Sequence, residues 1–139
     1  MELGSGDVSI SYCYFDSCGA QRCGGAICVF AYYPTSVTVS DSEIRNCSAV
    51  SLGGGGISCS YNKYSPSLSV SYLTVTDCTA ASSYGQAIHI FSCNSFKWDH
   101  LCITGTGTLV KSSGRVPTSE ELTECPLTCP SSFPASYGS

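Results

Sequence analysis

Four cysteines at intervals of five, Cys13, Cys18, Cys23 and Cys28, are the first residues of this chain whose type and spacing could do chemistry. Structural zinc sites present short knuckles with two to four residues between ligands, and this run offers none. On a helix a step of five turns the side chain by roughly 500°, and in a strand an odd step moves it to the opposite face. In neither would the four sulfurs converge, so no metal ligand set and no cofactor are assigned. Carboxylates come next, because sugar-cleaving enzymes place two acids on either side of the scissile bond. Asp16, Asp41 and Asp77 do not recur at equivalent places, and Asp99-His100, the one acid–histidine neighbour pair, has no nucleophile placed with it. The chain is read as having no catalytic residues and as not being an enzyme.

The cysteine spacing is explained by the elements that carry it. Three segments align with a period of roughly 30 residues. They are Val8–Ala20 with Gly24-Gly-Ala-Ile27, Val37–Ala49 with Gly54-Gly-Gly-Ile57, and Leu68–Ala80 with Gly85-Gln-Ala-Ile88. A fourth, degenerate copy opens at Leu101 and fades after Gly107. The place of Cys18 recurs as Cys47 and Cys78, whereas that of Cys13 becomes Ser42 and Leu73 and that of Cys28 becomes Ser58 and His89. Only one cysteine in four belongs to the repeat. Within each copy apolar residues alternate with Ser or Thr (Val8/Ile10, Val37/Val39, Leu68/Val70), followed by Phe15/Ile44/Val75, the Cys place, an alanine, a glycine turn and an isoleucine. That pattern reads as three short strands per copy separated by turns. A unit of this size cannot bury its apolar face alone, so copies stack at about 4.8 Å per coil. The expected fold is all-β: a right-handed parallel β-helix of three full coils, opening near 8, 37 and 68, plus a partial fourth from 101, with residues 1–107 as the repeats and 108–139 as a Pro- and Ser-rich tail or cap.

Phe15-x-x-Cys18-x-Ala20 with Gly24-Gly-Ala-Ile27, echoed by Ile44-x-x-Cys47-x-Ala49 with Gly54-Gly-Gly-Ile57, resembles the paired FxxN and GGA(I/L/V) motifs of chlamydial polymorphic outer membrane proteins. Similar motifs occur in right-handed β-helix surface proteins of bacteria and protists. The likeness spans about residues 7–105 and departs from the motif where Cys replaces Asn. It implies a surface or extracellular setting and specifies the fold more closely than the function.

Cysteines stacked on equivalent positions of parallel coils hold their Cβ atoms about 4.8 Å apart, where a disulfide prefers about 3.8 Å. Cys18, Cys47 and Cys78 are therefore expected to be reduced, filling a tight corner as small hydrophobes. Cys125 and Cys129 would either close a small disulfide loop or remain two thiols in the tail, and Thr118-Ser-Glu-Glu121 resembles a capping box for a helical turn near 119–124. Asn46-Cys-Ser48 fits the N-glycosylation pattern, while its repeat place, shared with Ser17 and Asp77, is a polar turn.

Aromatic residues interrupt the copies at one recurring place, between the Ile strand and the next copy. Tyr32, Tyr33, Tyr61, Tyr64, Phe96 and Trp98 would line a loop face there that meets a glycan or a protein, or would pack on one another as lids over the coil edge. At the far end Trp98, Leu101, Ile103, Leu109 and Val110 would fold across the last coil, whereas residues 1–6 are too short to cover the first. The N-terminal end is then the sticky one, joining preceding coils or a second copy head to tail.

Bulk composition narrows the function. Charged residues make up 12% of the 139 residues and the net charge is −4, with no Lys/Arg cluster, so neither nucleic acid nor an anionic membrane surface is an expected partner. No stretch approaches the ~20 apolar residues of a membrane span, and residues 1–6 do not read as a secretion signal. Eleven cysteines suggest an oxidising compartment. A structural or adhesive module of a surface or extracellular protein leads, ahead of a self-assembling filament subunit and a carbohydrate-active enzyme.

Overall fold

The computed structural model describes residues 6–31, 33–51, 53–61, 66–81, 85–91 and 95–112. Among them the regular structure is all strand: β1 (Gly6–Ser11), β2 (Tyr14–Asp16), β3 (Gly19–Ala20), β4 (Ile27–Ala31), β5 (Thr35–Arg45), β6 (Ser48–Ala49), β7 (Ile57–Tyr61), β8 (Ser67–Thr76), β9 (Ile88–Ile90), β10 (Ser95–Thr104) and β11 (Val110–Ser112). All pairings are parallel. One sheet runs β1-β5-β8-β10 with β2 also on β5, a second runs β4-β7-β9-β11, and a third joins β3 to β6 and, through a bridge from Ser48, to Thr79.

Register coincides with the sequence repeat. Val8 lies opposite Val37 and Val37 opposite Leu68; Phe15 pairs with Ile44 and Ile44 with Val75; Ile27, Ile57 and Ile88 form a third file. Alternation selects which side is buried. In β5 and β8 the apolar members Val37, Val39, Ile44, Leu68, Val70 and Val75 are at most 2% exposed while Ser36, Thr38, Ser40, Ser67, Ser69 and Ser71 take the alternate, outward positions; Ser42, buried opposite Leu73, donates its hydroxyl to Ser40 C=O at 2.7 Å. One contiguous core joins these residues to Ile27, Ile57, Ile88, Cys47 and Cys78.

A break in the alternation marks the bends. Between Val70 and Leu73 two consecutive residues face out, and the second, Tyr72, has φ of 49°. Among the described residues, the seven non-glycine residues with positive φ fall into two such places per repeat: Tyr12, Asp41, Tyr72 and His100 at the first, Ser17, Asn46 and Asp77 at the second. A left-handed residue costs about 1–2 kcal/mol, least for Asn and Asp, and lets a strand turn without leaving its ladder. The second place is the polar turn of the sequence reading, so Asn46 has a backbone role of its own.

The glycine turn stacks in the same way. Gly55 N–H donates to Gln86 C=O at 2.9 Å and Gly56 N–H to Ala87 C=O at 2.8 Å. A Cβ on Gly55 would run into the carbonyl oxygens of Thr79 and Gln86, so no larger residue fits between these levels.

The fourth copy begins earlier than Leu101 and ends later than Gly107. Leu101 pairs with Leu73, while Phe96 and Trp98 stand opposite Leu68 and Val70; Val110 then pairs with Ile88. Aromatic residues in place of the aliphatic pair hide the alignment in the sequence. The boundary expected between 107 and 108 consequently lies inside this copy. Trp98, Leu101, Ile103 and Val110 are the fourth repeat's own inward residues, in register with the third, and not a separate cover folded across it.

Candidate functional site: a hydroxyl face

Because apolar residues take the inward positions of the first sheet, its outward positions up to the first bend form a flat field in three rows. Asp7, Ser36, Ser67 and Ser95 make the first row, and Ser9, Thr38, Ser69 and Lys97 the second. Ser11, Ser40, Ser71 and Asp99 complete it. The three charges sit on the outer strands β1 and β10, and the two central strands carry hydroxyls alone. Parallel pairing repeats each hydroxyl about every 4.8 Å across the sheet. A shallow depression of about 390 Å³ lies here, bordered by Ser36, Thr38, Ser67, Ser69, Ser95 and Lys97.

The first bend edges this field with rings. Tyr12 is 58% exposed and Tyr72 38%. His100 stacks flat on Tyr72, centroids 4.4 Å apart, and its Nδ1 lies 2.7 Å from Asp99 Oδ1. Beyond the bend the outward positions change character. Arg45 Nη2 meets Asp16 Oδ2 at 3.6 Å, its guanidinium sits 5.3 Å over the Tyr14 ring, and Asn46 Nδ2 donates to Asp16 Oδ1 at 3.4 Å. Desolvation opposes ionisation of Asp16, but the hydrogen bonds from Asn46 and Ser17 together with Arg45 hold its carboxyl below the usual value. On β5 the hydroxyls of Ser36, Thr38 and Ser40 thus lie before the bend and the charged Glu43 and Arg45 beyond it.

The cysteines divide by environment. Cys18, Cys47 and Cys78 are reduced thiols, and Cys13 and Cys59 are likewise outside any disulfide. Sγ of Cys47 donates to Arg45 C=O at 3.3 Å and that of Cys78 to Thr76 C=O at 3.5 Å, each capping the residue before a bend. Burial pushes the Cys47 thiol up to about 12 and raises Cys78 as well. Cys23 and Cys28 are joined in a disulfide, and Cys102 is disulfide-bonded too. Cys28, Ser58 and His89 occupy one file of the second sheet, on the side away from the core and buried. In the first copy the disulfide ties this file to the glycine turn; in the third, Gly85 N–H donates to His89 Nδ1 at 3.2 Å. Different chemistry therefore does the same mechanical job.

The expected aromatic loop face is only partly described. Tyr33 is 59% exposed, but Trp98 is 4% exposed and belongs to the core, which removes it from that face because its ring replaces an aliphatic side chain of the inward file. Tyr61 lies in β7 and Phe96 in β10, while Tyr32, Tyr64, Cys125, Cys129 and the capping box at Thr118 fall outside the described residues. Asn46 is exposed at its bend. Among the described residues no cluster of three or more His, Cys, Asp or Glu is placed to hold a metal ion. The hydroxyl face was missed because the Ser/Thr positions looked like the mere complement of the apolar ones. Their signal was present in the same alternation. No family model, curated protein or solved structure matches the chain.

Proposed function

We propose that the chain is a right-handed parallel β-helix serving as a non-catalytic structural or adhesive module of a surface or extracellular protein. One observation carries the reading: successive copies visit the same sheets in the same order and pair in parallel register, building long regular outer faces. Right-handedness follows from the strong preference of parallel crossover connections. The sequence motifs that resemble polymorphic outer membrane proteins point the same way.

The test is attachment without turnover. Beads carrying the full chain are expected to adhere to cell-surface material and to arrays of glycans and proteins, with no release of new sugar ends from any polysaccharide. Cleavage that disappears in Asp99→Asn and His100→Ala would replace this reading with an enzymatic one.

Self-assembly is the second reading, favoured by the first copy. Val8, Phe15 and Cys18 are only partly buried, whereas their partners Val37, Ile44 and Cys47 are at most 1% exposed. Among the described residues β1 is an edge strand, and an edge strand beside partly exposed apolar residues is a template for another copy. Light scattering should then show size growing with concentration, and Ser9→Pro in β1 should abolish the growth. A concentration-independent monomer sinks this second reading.

A further inference from the structure

We propose that the hydroxyl face of the first sheet, with the Tyr72–His100 stack at its edge, binds an extended neutral polysaccharide. The proposal rests on the adhesive reading and supplies the ligand class that reading lacks. The chemistry of the ligand follows from what the face presents. A serine or threonine hydroxyl both donates and accepts, so a two-dimensional array of them matches a ligand that is itself a run of hydroxyls. Thr38 and Ser69, at the centre of the field, have no charged neighbour in their row except Lys97 at its end. A polyanion would find a single cation on this face, and a polycation only the carboxylates of the outer strands, so a charged polymer gains little here.

Shape selects a polymer over a small molecule. The depression bordered by Ser36, Thr38, Ser67 and Ser69 is shallow and open, whereas tight small-ligand sites enclose most of the ligand's surface. A single sugar would stay largely in water. A chain lying across several strands meets the same hydroxyl again on each, and adds many weak contacts without a deep pocket. The rings provide the apolar element: the C–H face of a sugar needs a flat partner, and Tyr72 and Tyr12 expose rings at the border of the last hydroxyl row. The charged positions beyond the bend, centred on Arg45 and Asp16, lie outside this surface.

The experiment is co-sedimentation of the full chain with insoluble neutral polymers (cellulose, a β-1,3-glucan, chitin) and with an anionic one, pectate. Retention is expected on at least one neutral polymer and not on pectate. Thr38→Glu with Ser40→Glu should weaken it about tenfold, since both positions have only hydroxyl residues beside them on the neighbouring strands and each charge would be desolvated without a partner. Tyr72→Asn removes the ring while suiting the left-handed backbone, and should weaken retention about fivefold. Arg45→Ala should leave it unchanged. Far-UV circular dichroism checks that each variant folds, and Tyr72→Asn decides alone if the double variant does not. Equal retention by wild type and Tyr72→Asn, or by wild type and a folded double variant, overturns the proposal, as does preference for pectate. Attachment to cells or proteins with no neutral polymer retained also overturns it and leaves the adhesive reading standing; attachment to nothing removes both.

Discussion

His100 lies flat on Tyr72, with ring centroids 4.4 Å apart and planes only 8° apart, and the two residues share the same left-handed backbone at φ of 50° and 49°. The stack is a consequence of register. Two neighbouring copies that bend at the same residue place those side chains one above the other, so the bend stacks His100 on Tyr72, while Asp41 holds the same place between Tyr72 and Tyr12. Tyrosine is poorly suited to that backbone, and ring contact offsets part of the strain.

Tyr72 therefore separates backbone from ring effects. Tyr72→Ala keeps the strained backbone and loses the ring, whereas Tyr72→Asn loses the ring but relaxes the backbone. Urea unfolding should find Ala less stable than Asn by about 1 kcal/mol. Equal stabilities would mean that the bend is not held left-handed.

Gly55 tests the stacking of the glycine turn. Gly55→Ala should cost about 3 kcal/mol or more, because the new Cβ meets backbone carbonyls that cannot swing aside. Gly19→Ala is the control: its Cβ would meet only Ser48 Oγ at 3.7 Å, an ordinary contact, and the change should stay within about 1 kcal/mol. Similar melting temperatures for both variants would refute the close approach.

His89 gives an acid-side prediction. Burial, aided by the nearby Lys111, lowers its pKa, so the fold prefers the neutral ring that accepts from Gly85. A depressed folded-state pKa contributes stability that is present above the ordinary value of 6.5 and is lost as pH falls through the folded value. Denaturant titrations should show stability dropping below pH 6.5, with a flatter profile in His89→Gln. An unchanged slope in that variant would assign the acid loss elsewhere.

Cys47 gives the alkaline counterpart. Its folded-state pKa, about 12, lies above the ordinary thiol value of 9.0, so its contribution is fully present below pH 9.0 and is lost as pH rises through about 12. At pH 8 the folded protein should label at Cys13 far faster than at Cys47, while Cys47 and Cys78 should label once the chain is unfolded without reductant. Cys23 and Cys28 should label only after reduction. Failure of unfolded Cys47 to label would show that it is bonded.

Much of the parallel arrangement was legible in the sequence because a stacked repeat writes each contact more than once. Val8, Val37 and Leu68 stand at equivalent places in the sequence and in register in space, since side chains at equivalent positions of parallel strands must fall into one file.

Three features depended on tertiary structure. Trp98 reads as a loop aromatic until its strand is paired, and only the register with Val70 places it inside. Cys23 and Cys28 sit outside the repeat, so nothing periodic marks their disulfide; they meet because the glycine turn returns the chain to its own strand. The hydroxyl face needed both levels. Alternation determined that Ser36, Thr38, Ser67 and Ser69 point away from the core, and parallel stacking decided that they form one uninterrupted field, because a strand specifies which side a residue faces while only its neighbours determine what lies beside it.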